Sequence, residues 1–196
     1  MEYWFTVRNV IDWASSNNSW KEEYVRKYGP IRFEEIVSLD KKICPHLFDS
    51  YDDYKEGECV YDDYNEQAYS SREGEYLFGF FKSEKFILEK IKDKNSFNLL
   101  LVIREPRASI EQIEIENYEF VGYDLIDKAY CDSGLLNLSL KETFNTKSYR
   151  NKYGLMNSYQ KVFEFRKQLI IDNPDEWNAS CFVFGVFRHK TLGRML

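Results

Sequence analysis

The strongest constraint on the fold comes from two apolar segments of strand length. Residues 97–103 (FNLLLVI) and 181–187 (CFVFGVF) are nearly continuous runs of aliphatic and aromatic side chains. Such runs are typical of strands that are covered on both faces, and they predict a central position in a sheet for residues 97–103. Pro106 ends the first run, because proline has no N–H to donate to a neighbouring strand. Cys181 is expected to be a small core residue of the second strand.

Three further segments are predicted to be strands. Residues 76–81 are rich in aromatic side chains, and residues 110–116 alternate apolar with acidic side chains, as an edge or half-exposed strand does. Residues 118–126 (YEFVGYDLI) form another strand pattern, in which Gly122 indicates a bulge or a close backbone approach.

Two helices are predicted among these strands from capping residues and from helical spacing. Ser83 is expected to cap a helix that has Glu84 in its first turn and ends at Asn95-Ser96. Apolar positions between residues 159 and 170 recur with the period of a helix, and Asn173-Pro174 ends that pattern. This segment predicts the best-defined helix of the chain.

The N-terminal part is predicted to be helical, with helices over residues 5–14, 20–28 and 31–48. The predicted order is then strand, helix, three strands, helix and strand. This order predicts an α+β fold with a mixed or mainly antiparallel sheet that is covered by helices. The 196 residues, of which 43% are apolar, suffice for one domain over residues 1–196.

The most unusual segment is residues 49–75, which is acidic and rich in tyrosine. Its ten acidic and two basic residues give a net charge of −8, whereas the net charge of the whole chain is −6. All the net acidity therefore lies in this segment. The motif Tyr-Asp-Asp-Tyr occurs twice, at residues 51–54 and 61–64. With almost no aliphatic residues to bury, the segment is predicted to be a long surface loop or a weakly structured excursion.

Two interpretations of this segment remain open: acidic loops commonly keep proteins in solution, and they can also bind partners. Tyrosine offers a large contact area at low entropic cost, and carboxylates steer cationic partners to a surface. On the second interpretation, a basic partner such as a nuclease domain is expected to bind here. The candidate partner-binding residues are Tyr51, Asp52, Asp53, Tyr54, Tyr61, Asp62, Asp63, Tyr64 and Glu66.

The sequence contains no recognisable catalytic, nucleotide-binding or metal-binding motif. It lacks GxGxxG, GxxxxGK, GxSxG and CxxC patterns, and its two histidines, His46 and His189, are expected to have structural or surface roles. We therefore expect no catalysis and no cofactor, and the acidic balance disfavours direct binding of nucleic acid. One alternative is a carboxylate-centred site at Asp124 and Asp127, which bracket the end of a predicted strand. The competing interpretation is solvated acids in a turn, or a salt bridge to Arg166 or Arg188.

The expected compartment is the cytoplasm. The N-terminus has no basic region followed by an apolar stretch, and no apolar run approaches the ~18 residues that cross a bilayer. Without an export signal, the four cysteines are expected to be reduced thiols.

Four short stretches carry a resemblance from Tyr118 onward: residues 118–127 (YEFVGYDLID), 133–137 (SGLLN), 151–156 (NKYGLM) and 174–181 (PDEWNASC), the last of which leads to Phe187-Arg188. In these stretches the chain resembles a group of small bacterial immunity proteins of polymorphic toxin systems. Asn178 stands where that group tends to have a histidine. The resemblance implies a cytoplasmic, non-catalytic protein that occludes the active site of a cognate toxin. The alternative of the same physical kind is a phage-type inhibitor that mimics nucleic acid.

Overall fold

The computed structural model describes residues 2–13, 21–22, 25–26, 33–48, 50–60, 79–136, 149–172, 174 and 180–192. The strands in these residues are β1 (Trp4–Asn9), β2 (Ile11–Asp12), β3 (Glu35–Ile36), β4 (Cys59–Val60), β5 (Phe80–Phe81), β6 (Phe97–Arg104), β7 (Tyr118–Ile126) and β8 (Phe182–His189). The helices are α1 (Tyr51–Lys55), α2 (Glu84–Lys90) and α3 (Tyr159–Asp172), with a 3₁₀ helix at Lys41–Ile43. Residues 21–22 and 25–26 are also helical.

Six of the described strands form one antiparallel sheet in the order β4-β5-β1-β6-β8-β7. Strands β2 and β3 pair separately. The register places Trp4 opposite Val102 and Leu101 opposite Phe187. Helix α3 packs against β7 and β8, and α2 packs against β1. The α+β class and the antiparallel sheet are therefore confirmed, as is the inner position of β6.

Local signals correctly predicted the start of helix α2 and the irregularity at Gly122 in β7. The Ser83 hydroxyl accepts a hydrogen bond from the Phe86 N–H at 3.2 Å, which confirms the predicted cap of α2, although that helix ends at Lys90. Gly122 lies at a register shift between β7 and β8 with a φ of 141°. A Cβ at this position would lie 2.6 Å from the Leu155 Cβ, so both a bulge and a close approach are present.

The predicted N-terminal helix over residues 5–14 is wrong, because residues 4–9 form strand β1. This strand pairs with β6 along its whole length, from Trp4 opposite Val102 to Asn9 opposite Phe97. The side chains from Trp4 to Arg8 are all buried, including the polar Thr6 and Arg8, so both faces of this strand are covered. The helical spacing of the apolar residues is overridden by this pairing over nearly 100 residues of chain.

Residues 33–48 also differ from the predicted helix over residues 31–48. They contain β3, an extended stretch over residues 37–40 and the 3₁₀ helix. The backbone N–H of Leu39 donates to the carboxylate of Asp124 at 2.8 Å, a bond that a helix interior would not allow. Contacts with a distant strand therefore decide the conformation here.

The predicted strand over residues 110–116 is a pair of turns with one isolated bridge, Ile115 to Tyr118. The Ile113 N–H donates to the Ile110 carbonyl at 3.1 Å, which closes the first turn. Ile110 is buried and its N–H donates to the Tyr123 hydroxyl at 3.2 Å, whereas Ile113 is exposed. The alternating apolar and acidic residues therefore belong to turns, in which Ile110 is buried and Ile113 is exposed, and they do not form a strand.

All four cysteines are free thiols, as predicted. Cys181 is buried in the core, which confirms its predicted place.

Candidate functional site

The described part of the acidic segment, residues 50–60, forms helix α1 and strand β4. The Ser50 hydroxyl accepts a hydrogen bond from the Asp53 N–H at 3.1 Å and so caps the helix. Asp52 and Asp53 lie in the first turn, where carboxylates interact favourably with the helix dipole. The prediction of an irregular surface loop is therefore wrong for residues 50–60. Residues 61–75 lie outside the described residues.

Tyr54 anchors α1 in the core and is fully buried. Its ring makes edge contacts with Phe48 and Phe81, at centroid distances of 5.3 and 5.6 Å. Its hydroxyl donates to the Cys59 sulfur at 2.6 Å. Tyr54 therefore belongs to the interior, although the sequence grouped it with the partner-binding tyrosines. The two Tyr-Asp-Asp-Tyr motifs are identical, so the repeat gave no signal that one of its tyrosines is a core residue.

The acidic side chains around this anchor differ in how they are engaged. Asp52, Glu56 and Glu58 are exposed. Asp53 forms an ion pair with Lys90 of α2, whose ammonium also lies 5.2 Å from the centre of the Phe86 ring. The hydrogen bond to Asp53 raises the pKa of Lys90. Glu58 lies 3.9 Å from Lys82 in a largely exposed pair. Helix α1 and the residues that follow it, which Tyr54 anchors to the core, therefore expose three carboxylates to solvent.

The remaining predicted contact residues are placed as follows. Tyr51 is the first residue of α1. Tyr61, Asp62, Asp63, Tyr64 and Glu66 lie outside the described residues.

The second candidate site, around Asp124, is enclosed. Asp124 is 0% exposed, and its carboxylate accepts four hydrogen bonds. One oxygen binds the Ser133 hydroxyl at 2.6 Å and the Leu125 N–H at 2.8 Å. The other binds the Ser38 hydroxyl at 2.9 Å and the Leu39 N–H at 2.8 Å. These bonds tie β7 to residues 38–39 and to the loop at residue 133.

Two more buried carboxylates continue this network. Asp40 accepts hydrogen bonds from the N–H groups of Lys42 at 2.8 Å and of Ser133 at 2.9 Å. Asp127 accepts bonds from the N–H groups of Cys131 at 2.7 Å and of Asp132 at 3.0 Å, which closes a turn. Burial raises the pKa of Asp40, Asp124 and Asp127, although hydrogen bonds from the protein oppose the shift in each case.

The competing interpretation was that Asp124 and Asp127 are solvated acids in a turn, or that they form a salt bridge to Arg166 or Arg188. Neither describes the surroundings of these two residues. The two acids are buried rather than solvated. Arg166 pairs with Glu105, and Arg188 pairs with Glu35 at 2.7 Å and Glu119 at 2.9 Å. No sequence pattern pointed to Asp40, which lies 84 positions before Asp124 in a segment predicted to be helical. The arrangement can hold three chain segments together, and every oxygen of Asp124 is already used.

The two histidines differ in exposure. His46 is exposed. His189 packs its ring against Tyr118 and accepts a hydrogen bond from the Thr191 N–H at 3.3 Å, and burial lowers its pKa. Among the described residues, no group of three or more His, Cys, Asp or Glu side chains is arranged to hold a metal ion.

Comparison of the chain with protein-family models, with curated proteins and with solved structures finds no match. Within the described part of the chain, no helix has both the length and the apolar character that crossing a bilayer requires.

Proposed function

We propose that this chain is a non-catalytic immunity protein of the cytoplasm that binds and neutralises a basic protein toxin through residues 49–75. The observation that carries the proposal is that α1 is anchored by the buried Tyr54 while Asp52, Glu56 and Glu58 face solvent. The net acidity of the whole chain lies in the segment to which this helix belongs.

The anchor matters because a preorganised surface loses less conformational entropy on binding than a mobile one. Exposed carboxylates raise the association rate with a cationic partner, and they do so most strongly at low salt. A toxin that acts on RNA or DNA has a cationic groove for its substrate, so an acidic surface can occupy that groove. A nuclease toxin is therefore the preferred partner class.

The toxin-immunity assignment also draws on the resemblance of residues 118–188 to small bacterial immunity proteins. A phage-type inhibitor that mimics nucleic acid would use the same acidic surface. The neighbouring reading frame separates the two, since a toxin gene directly upstream favours immunity.

A carboxylate-centred enzyme is a weaker candidate. Asp124 and Asp127 are 0% and 3% exposed, and the hydrogen bonds that they accept come from the protein itself. A substrate would have to displace these donors before it could reach Asp124.

The experiment is co-expression of the tagged chain with the product of the adjacent reading frame, followed by copurification and by measurement of Kd at several salt concentrations. The variant Asp52→Asn/Glu56→Gln removes two exposed charges from the acidic segment. The matched control, Glu114→Gln/Glu116→Gln, removes two exposed charges from another surface. We expect weaker binding and a flatter salt dependence for the first variant alone. Equal affinities and salt slopes in the two variants would show that the acidic segment is not the contact.

A further inference from the structure

Two of the four reduced cysteines lie against each other. Cys44 and Cys131 are 7% and 1% exposed, and they pack together as a separate cluster of two buried side chains. Cys181 belongs to the main core, and Cys59 is half-buried in β4. Cys44 and Cys131 are 87 positions apart in the chain, so tertiary contacts bring these two thiols together.

The backbone holds the segments of the two thiols side by side. The Lys41 N–H donates to the Cys131 carbonyl at 2.7 Å, and the Ser133 N–H donates to the Asp40 carboxylate at 2.9 Å. The 3₁₀ helix returns Cys44 to this contact, because the Cys44 N–H donates to the Lys41 carbonyl at 3.0 Å. A disulfide forms without movement of the backbone only where two cysteines are already neighbours. Residues 44 and 131 are such neighbours.

The surroundings of the two thiols differ, and they favour Cys44 as the sulfur that reacts first. Burial raises the pKa of Cys44 to about 11, although the positive charge of Arg8 opposes the rise. Burial raises the pKa of Cys131 to about 12, and the carboxylate of Asp127 adds to this rise. Both thiols are therefore protonated at neutral pH, which keeps the resting chain reduced. Because the thiolate is the nucleophile, Cys44 is the more reactive of the two.

The size of the space beside Cys44 restricts the oxidant. Cys44 lines a small cavity together with Pro45, Leu47 and Phe48. The space open to the centre of a water-sized sphere is about 10 Å³, which admits a molecule close to water in size. Hydrogen peroxide is such a molecule and carries no charge, whereas a disulfide oxidant such as oxidised glutathione is far too large. The oxidant class that fits is therefore hydrogen peroxide.

We propose that hydrogen peroxide converts Cys44 and Cys131 to a disulfide in the folded chain, and that this bridge fastens residues 41–44 to the loop at residues 127–132. The Cys44 thiolate attacks one peroxide oxygen, the O–O bond breaks, and hydroxide leaves and takes up the thiol proton, which gives a sulfenic acid and water. The Cys131 sulfur then attacks the Cys44 sulfur, the S–O bond breaks, and a second water leaves. The two thiols together lose two electrons and two protons, and the peroxide is reduced to two water molecules.

The bridge would act on the chain segment that precedes α1. Residues 44–48 lead from the 3₁₀ helix toward α1, and the Phe48 ring lies 5.3 Å from the ring of Tyr54, the anchor of α1. In the oxidised chain this segment would be held at one end by the disulfide and at the other by the aromatic contact. Oxidation would therefore limit opening of the segment that supports α1.

The first test is mass spectrometry of the unaltered chain. The folded protein is incubated with hydrogen peroxide at about pH 8.5, the remaining thiols are alkylated in denaturant, and the digest is analysed without reduction. We expect a cross-linked pair of peptides that contains Cys44 and Cys131, and dithiothreitol should separate the pair. Four unmodified thiols, sulfinic or sulfonic acid at Cys44 without a cross-link, or a cross-link through Cys59 or Cys181 instead would each overturn the proposal.

The second test compares thermal unfolding of the cross-linked and the reduced chain. A bridge between native neighbours constrains a loop of 87 residues in the unfolded chain, so oxidation should raise Tm by about 5–15 °C. The matched control Cys181→Ser alters a buried thiol outside the pair, so it should keep both the cross-link and the rise in Tm. Cys131→Ser should lose both. The unaltered chain decides the question if either variant does not fold, since an equal or lower Tm after cross-linking would show that the bridge does not fit the native fold.

Discussion

Carboxylates lie near both edges of the main sheet, and their surroundings are opposite. At the β7 edge, Asp124 is fully buried and accepts hydrogen bonds from four groups. Near the β4 edge, Asp52 of helix α1 and Glu56, which follows the helix, have exposed side chains. The same residue type therefore fixes the fold at one edge and charges the surface at the other. Substitutions should separate the two regions, changing stability at β7 and partner binding at α1.

The largest effect on stability is expected at Tyr54, which is buried in the core and anchors the helix that carries exposed Asp52. Replacing it with alanine removes a buried ring that contacts Phe48 and Phe81, so Tyr54→Ala should lower the free energy of unfolding by about 3–5 kcal/mol. Urea unfolding measures this change. The control Tyr54→Phe keeps the ring and loses only the hydroxyl, so its cost should stay near 1 kcal/mol. Equal and small costs for both variants would contradict the role of Tyr54 as an anchor.

The next largest effect is expected from Asp124→Asn. An amide group cannot accept bonds at its nitrogen, so the Leu39 or the Leu125 N–H would face another donor. Leaving buried donors unsatisfied should cost about 2–4 kcal/mol in the free energy of unfolding at pH 5. Asp52→Asn, the same substitution at an exposed position, should change stability by less than about 0.5 kcal/mol. A loss at Asp124 no larger than the loss at Asp52 would show that the hydrogen bonds around Asp124 do not hold the fold.

The pH dependence of stability gives a third distinction. Burial raises the pKa of Asp124 above its ordinary value of 3.8, so the native state holds that proton more tightly than the unfolded state does. The resulting stability is present in full below pH 3.8 and is lost as pH rises through the native pKa. The stability advantage of the unaltered chain over Asp124→Asn should therefore shrink between pH 4 and pH 7. Urea midpoints at several pH values measure this, and an advantage that grows with pH would contradict the direction of the shift.

These contrasts also explain which parts of the molecule could be predicted from sequence. Strands β6 and β8 and helix α2 have local signals, namely apolar runs and the Ser83 cap. Strand β1 has no such local signal, because the β6 residues that pair with its backbone lie far along the chain.

The same contrast between local signals and contacts with distant residues applies to the candidate sites. The charge of residues 49–75 is a property of composition and was visible at once. The burial of Tyr54 depends on Phe48 and Phe81, and the network of Asp124 depends on Ser38 and Ser133. Neither set of contacts leaves a pattern in neighbouring residues, so the sequence could not distinguish the anchoring tyrosine from its counterpart in the second motif.

The smallest effect is expected within α1 itself, where Asp52 and Asp53 are neighbours with different surroundings. Asp53 is held by Lys90, whereas Asp52 is exposed. Asp53→Asn should cost about 0.2–1 kcal/mol of stability, the range of partly exposed ion pairs, and Lys90→Met should cost a similar amount.

Asp52→Asn and Asp53→Asn each remove one negative charge, so the two substitutions should flatten the salt dependence of partner binding equally. Asp52→Asn should raise Kd more, because its carboxylate is free to contact the partner directly. A double-mutant cycle of Asp53→Asn with Lys90→Met measures the ion pair, and titration with the copurified partner measures Kd. A larger rise in Kd for Asp53→Asn than for Asp52→Asn would show that the partner displaces Lys90, and the exposed face of α1 would then not be the surface that binds.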